Sequence, residues 1–173
     1  MAMQSWLHHL DARDRALFTR WALSPSAPAR PRHFWMLITH AGGARGSIGA
    51  CLAALSLPAV SVPLVWRILL LLGLSHLVVQ VVKRTVGRPR PSTRLSFEAL
   101  IHVPDRFSFP SGHACAAMAV AVGFAAAFPM FTLPLLIIAC VVGFSRVALG
   151  VHYPGDVLVG QAIALITAYP MLA

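Results

Sequence analysis

The sequence predicts an all-α integral-membrane protein: a helical bundle of about five transmembrane helices, preceded by an amphipathic helix in the membrane interface. Three observations carry this. Hydrophobic residues make up 58% of the 173 and charged residues 11%, whereas a soluble domain carries roughly 25% charged residues. The apolar residues fall in runs close to the roughly 20 that a bilayer core requires. The charges lie between those runs: Arg67 stands alone, and the other Lys and Arg fall in residues 13–45, in 83–106 and at Arg146.

Taken in order, residues 4–23 read as the amphipathic helix. Leu7, Leu10, Leu17 and Trp21 recur at helical spacing, while Asp11, Arg13, Asp14, Arg15 and Arg20 are polar; such a helix lies along the interface rather than crossing it. Residues 24–32 carry three prolines and read as a connector. His33 to His40 is apolar but too short to span, and Gly42-Gly43 and Arg45 interrupt it, which places it at the interface. Five spans are expected near 46–63, 65–85, 111–129, 132–149 and 154–171, with Pro63, Pro129 and Pro134 marking tight turns on the far side and 86–110 forming one long polar loop. Trp35 and Trp66 suit interfacial positions. The expected organisation is an N-terminal interfacial region over 1–45 and a transmembrane domain over 46–173.

Composition narrows the partners. The net charge of +9 is basic, but long apolar runs separate the basic blocks, which favours lipid headgroups or a phosphorylated substrate over nucleic acid. Cys51, Cys115 and Cys140 each sit in an apolar run, odd in number and without metal or disulfide spacing. No cleavable signal peptide is evident, since the first 20 residues mix Asp, Arg and His with apolar residues.

Three motifs carry the chemistry. The second span ends at Lys83, the third begins at Ser111, and the fourth ends and the fifth begins around Arg146–Asp156. With two crossings between His113 and His152, all three motifs emerge on one side. Pro154 suits the first turn of a helix, so Asp156 falls inside that turn and can reach back to the His152 ring. A carboxylate on one ring nitrogen fixes the tautomer and frees the other nitrogen to attack; alternatively, Asp156 merely complements the helix dipole. Ser111 opens a span whose unpaired backbone N–H groups form an anion site. Gly112 lets an oxyanion approach the backbone, and His113 can reach a leaving oxygen; the bland alternative is a Ser N-cap beside a structural histidine. Lys83, Arg90 and Arg146 suit phosphate contacts, although Lys83 and Arg146 at span ends could simply snorkel. Arg84, Arg88 and Arg94 read as snorkelling or headgroup-attracting residues, with Arg88 the runner-up to Arg90. His76, Gln80 and Lys83 share one face of the second span, which should point into the bundle, with His76 in a structural hydrogen bond.

Lys83-x6-Arg90-Pro91, Pro110-Ser111-Gly112-His113 and Ser145-Arg146-x5-His152-x3-Asp156 together resemble the three-part signature of the type 2 phosphatidic acid phosphatase superfamily. The resemblance implies His152 as nucleophile through a phosphohistidine, Asp156 as its orienter, and His113 as the acid that protonates the leaving oxygen and then activates water. It implies that Lys83, Arg90, Ser111, Gly112 and Arg146 hold the phosphoryl oxygens, and that neither a metal nor another cofactor is needed. The expected activity is hydrolysis of a lipid phosphate such as phosphatidic acid, phosphatidylglycerol phosphate or a polyprenyl phosphate, with undecaprenyl pyrophosphate phosphatase as the alternative. A non-enzymatic lipid-binding or transport protein is the alternative of another class. It would use the cations but not the His113, His152 and Asp156 set.

The expected location is a bacterial cytoplasmic membrane. Five spans put the N-terminus and the motifs on one face, which then holds every Lys and Arg except Arg67. The positive-inside rule favours the cytoplasmic side for that face, whereas the family resemblance implies the alternative, an extracytoplasmic active site.

Overall fold

The computed structural model describes residues 2–95, 97–101, 103 and 105–172. Eight α-helices follow one another: α1 (Ala2–Trp21), α2 (Ala29–Ala41), α3 (Ala44–Ala53), α4 (Val62–Val86), the single turn α5 (Pro91–Arg94), α6 (Gly112–Ala127), α7 (Thr132–Ala148) and α8 (Pro154–Leu172). Among the described residues there is no strand, only an isolated bridge between Pro89 and Phe107.

The ends of the long helices follow from their sequence. Ser61 caps α4 by accepting the Leu64 N–H, and Pro63 occupies the first turn, where its missing N–H costs nothing. Gly87 ends α4 in the left-handed region at φ 61° and donates to the Lys83 carbonyl, a conformation that glycine adopts without strain. Lys83 is therefore held in the last turn while the chain turns away. Ser111 caps α6 by accepting the Ala114 N–H. Pro154 opens α8 and places Asp156 in its first turn.

Helix α6 is the centre of the bundle, packing against α4, α7 and α8. Its small side chains, Ala114, Ala116, Ala119, Ala121 and Ala125, are buried on several sides, which lets neighbouring backbones come close. The outward sides are apolar: Trp66, Leu70, Leu74, Leu77 and Val81 on α4, Leu133 and Ile137 on α7, Leu158, Leu165 and Ile166 on α8 are all exposed. Helices α4, α8 and the segment Pro129–Ala148 are long and apolar enough to cross a membrane, and α6 is a shorter apolar helix. Exposed aliphatic belts around a packed core are what a bilayer solvent requires, and the protein is a membrane protein.

Two expectations are corrected. The first span, placed over 46–63, is not one helix: α3 stops at Ala53, a 3₁₀ turn covers Ala54–Ser56, and Leu57 is extended at ψ 127° because Pro58 follows it. Gly43 lies beside the His113 ring, whereas Cys51 and Val60 cluster with Val65, Ile68 and Phe128 at the other end of the bundle. The proline-rich connector is also shorter than expected, since α2 begins at Ala29 and packs on α7; Pro31 sits in its first turn, where it is tolerated.

Helix α1 forms as expected but presents other faces. Leu17 and Trp21 remain exposed while Phe18 is fully buried, and Asp11 and Asp14 turn inward to arginine partners. Leu7 and Leu10 lie outside the described side chains.

Close approach of α8 to α6 depends on Gly160, where a Cβ would collide with the Ser111 carbonyl oxygen and meet the Cys115 nitrogen at 3.4 Å. Gly160→Ala should therefore cost about 1–3 kcal/mol through overpacking, lowering the thermal midpoint in detergent. Gly49→Ala, where a Cβ meets nothing within 4 Å, should leave the midpoint unchanged or raise it slightly. Equal midpoints for the two variants would contradict the packing described.

Candidate active site

A cavity of about 570 Å³ opens between α3, α4, α6 and α7. Lys83, Arg90, Gly112, His113, Arg146 and His152 line its polar end, and Ile48, Leu69, Leu72 and Ala116 its apolar wall. Ser111 and Asp156 stand directly behind, joined by the Ser111 N–H donating to the Asp156 carbonyl at 2.9 Å. The structure thus brings together all eight residues that the sequence singled out, from three separate stretches of chain.

Arg90 is the hub. Its Nε and Nη2 donate to the backbone oxygen and to Oδ1 of Asp105, at 2.9 and 2.7 Å. Its Nη1 donates to the Val151 carbonyl at 2.7 Å and lies 3.3 Å from His152 Nε2. A guanidinium only donates, so Nε2 is the accepting nitrogen and the ring hydrogen belongs on Nδ1. Lys83 Nζ reaches Asp105 Oδ2 at 3.1 Å. Arg146 is 3% exposed; its Nη1 donates to Thr39 Oγ1 at 2.6 Å, and its Nε has no partner among the described residues.

His152 is 2% exposed and Asp156 is fully buried. Nδ1 of His152 faces Asp156 Oδ2 at 3.6 Å, longer than a hydrogen bond. Asp156 is fixed by other donors: Oδ2 accepts the Tyr153 N–H at 2.9 Å and Oδ1 accepts Arg88 Nη1 at 2.6 Å. Burial, reinforced by the positive charges of Arg146 and Arg90, depresses His152 from 6.5 to about 4 despite the carboxylate of Asp156. Burial alone would raise the Asp105 carboxyl, but Arg90 and Lys83 outweigh it and hold that group below its ordinary value.

Several participants were not visible in the sequence. Asp105 sits in the long polar loop with no motif around it, and Thr39 of α2 comes from the region expected to stay at the interface. Arg88, read as a snorkelling residue, is instead largely buried between Asp11, Asp14 and Asp156, and Arg94 pairs with Asp11 at 3.2 Å. The extra arginine two residues before Arg90, next to a proline, was the available signal. The shared face of α4 is present: His76, Gln80 and Lys83 all line the cavity, with Gln80 Nε2 and His76 Nε2 3.0 Å apart.

A bundle of this kind with three buried cations facing an imidazole defines a class, and the comparisons agree with it. The model of the PAP2 superfamily matches residues 64–173, and the chain belongs to that superfamily. Over 93 residues it is 36% identical to a lipid A 1-phosphatase of Rhizobium johnstonii, a match covering 51% of this chain and 38% of that one. It is 37% identical over 91 residues to a decaprenylphosphoryl-5-phosphoribose phosphatase of Mycobacterium tuberculosis, covering 51% and 49%. These matches span about half the length, or less, of the curated relatives. The structure resembles a transmembrane PAP2-type phosphatidylglycerolphosphate phosphatase from Bacillus subtilis, with a TM-score of 0.78 at 26% identity, covering 94% of this chain and 84% of that one.

The environment of His152 makes a direct prediction. A folded-state value of about 4 against an ordinary 6.5 means that the ring stays neutral through neutral pH and takes up a proton only as pH falls through about 4. NMR of histidine-labelled protein in micelles, with His152→Gln for assignment, should show the neutral Nδ1–H form until that region. A midpoint near 6.5 would refute the dry, cation-flanked environment described.

Proposed function

We propose that this protein is a metal-independent lipid-phosphate phosphatase acting through a phosphohistidine intermediate. The observation that carries the reading is His152, its Nε2 3.3 Å from the donor Arg90 Nη1, lining a cavity shared by Lys83, Arg90 and Arg146 at one end and by aliphatic side chains at the other. The cations suit the phosphoryl oxygens and the apolar wall suits a hydrocarbon chain. Relatives that act on lipid A, on a decaprenyl-linked sugar phosphate and on phosphatidylglycerol phosphate support a lipid phosphate as substrate.

In this reading Nε2 attacks phosphorus in line, the N–P bond forms and the bond to the leaving oxygen breaks. His113, in the first turn of α6, delivers a proton to that oxygen. The neutral His113 then takes a proton from water, whose oxygen attacks phosphorus. The N–P bond breaks, and inorganic phosphate and His152 are released. Lys83, Arg90, Arg146, Ser111 and Gly112 hold the equatorial oxygens as charge develops, doing by side chains what metal ions do elsewhere. Asp156 keeps the His152 ring oriented.

Phosphate release by the purified protein from a panel of lipid phosphates tests this. His152→Ala should abolish turnover, and Asp156→Asn should cost much of the rate while leaving binding. Activity should survive EDTA, and vanadate should inhibit by imitating the five-coordinate transition state. Near-normal release by His152→Ala, or complete loss on chelation with rescue by magnesium, would overturn the mechanism.

The reading extends to orientation. The asymmetry of Lys and Arg supports a cytoplasmic active-site face in a bacterial inner membrane, and the contacts of α1 with Arg88 and α8 support an N-terminus on that same face. In a cysteine-free background, single cysteines in residues 1–5 and in the 92–104 loop should both resist a membrane-impermeant thiol reagent applied to intact cells. Labelling of both would reverse the orientation; labelling of one alone would break the topology.

A further inference from the structure

Asp156 makes no hydrogen bond to the imidazole it faces, so something else must set its carboxylate. One donor is local, the Tyr153 N–H. The other is Arg88 at 2.6 Å, and Arg88 is not free to move. Its Nη1 also lies 2.8 Å from Asp14 Oδ2, and its Nη2 donates to Asp11 Oδ1 at 3.0 Å. Its guanidinium carbon stands 4.1 Å from the centre of the Tyr153 ring. Both aspartates belong to α1. Asp14 makes a second contact, accepting the Gly155 N–H at 2.7 Å, one of the donors left unpaired in the first turn of α8. One turn further along α1, the fully buried Phe18 packs edge-on against Tyr153 and Phe97, at 5.4 and 5.2 Å. Helix α1 is thus fixed to Arg88, to Tyr153 and to Gly155, which surround the His152–Asp156 pair on the side away from the cavity.

We infer that Arg88 and Asp14 are positioning residues for Asp156 and, through it, for His152, which makes the N-terminal interfacial helix a working part of the active site. The inference rests on the reading of His152 and Asp156 as nucleophile and orienter. The physical argument is one of degrees of freedom. A buried carboxylate keeps its rotamer only while its donors hold it. Arg88 satisfies Oδ1, which turns Oδ2 toward the His152 ring. Asp14 holds Arg88 and the start of α8 together, so it fixes both the donor and the backbone that carries Asp156. Arg88 does not line the cavity, unlike Arg90, so it has no phosphate oxygen to bind. Its loss should reduce kcat without raising KM, the pattern of an interaction expressed in the transition state and not in ground-state binding.

The experiment measures kcat and KM for lipid-phosphate hydrolysis by the full-length protein carrying Arg88→Gln, Arg88→Lys and Asp14→Asn, each alone and combined with Asp156→Asn. Arg88→Gln should lower kcat by about tenfold or more, as losses of an orienting group do, with KM within about twofold. Arg88→Lys should recover most of that loss, and Asp14→Asn should show a smaller drop of the same kind. In the Asp156→Asn background the same substitutions should add almost nothing, because residues that act through one group are not additive. Losses of equal size in both backgrounds, or wild-type kcat in Arg88→Gln and Asp14→Asn, would overturn the inference. Should Arg88→Gln not fold, the Asp14→Asn pair decides alone. An inactive wild-type protein would bring down the phosphatase reading and this inference together; an active one with insensitive variants would bring down this inference only.

Discussion

Three cations buried in an apolar bundle are the constraint on which the rest of the structure depends. A charge removed from water costs several kcal/mol unless it is paired and hydrogen-bonded. Lys83, Arg90 and Arg146 are all nearly inaccessible, yet among the described residues only Asp105 pairs with the first two, and Arg146 has a hydroxyl, Thr39, in place of a carboxylate. The polar end of the cavity is short of negative charge by design of its sequence. The phosphate group of the proposed substrate, with two charges and several acceptor oxygens, would supply what the bundle lacks, and Arg146 Nε, unpartnered among the described residues, is a free donor for it.

The backbone is arranged around that deficit. Gly87 stops α4 just after Lys83, so that the lysine lies in the last turn of its helix and the chain can turn back to bring Arg90 to the same cavity. Gly160 allows α8 to touch the Ser111 carbonyl, which sets the start of α6, and with it Gly112 and His113, against the start of α8, and with it His152 and Asp156. Helix packing and site geometry are the same contacts here. Small residues at α6 and α8 lower the separation of the backbones, and the candidate site side chains follow because each lies close to a helix end.

Much of this was legible in the residues. The apolar runs located α4, α6, α7 and α8, because a bilayer imposes length and composition strongly enough to be read locally. The motif residues converged because each lies at or near a helix end, and those ends meet at one end of the bundle. What was not legible depends on tertiary partners. Pro58 was available to shorten the first pass, but the 46–63 run is apolar throughout its length, and hydropathy alone reads such a run as a full span. Asp105 carries no local signature, and its role exists only because the loop folds over Arg90. Arg88 was misread because an arginine near a span end has two ordinary fates, and only the arrival of α1 selects burial over exposure.

From α1 inward, the signs of the charges alternate across the neutral His152 ring: Asp11 and Asp14 of α1, Arg88, Asp156, the ring, Arg90, Asp105, and Lys83. Alternation lets a buried chain of charges persist, because each member is flanked by the opposite sign or by a ring that can accept a hydrogen bond. It also couples the ends. A charge removed at Asp14 leaves Arg88 with one carboxylate fewer, and Arg88 is the only side chain bound to Asp156 among the described contacts shorter than 3.5 Å. Arg146 stands outside the sequence of alternating signs, lining the same cavity as His113 and, among the described residues, hydrogen-bonded through its side chain to Thr39 alone. The pocket is therefore pinned firmly on the His152 side, whereas on the Arg146 side a buried guanidinium has no carboxylate bound to it among the described residues, which is the side the proposed substrate's phosphate would complete.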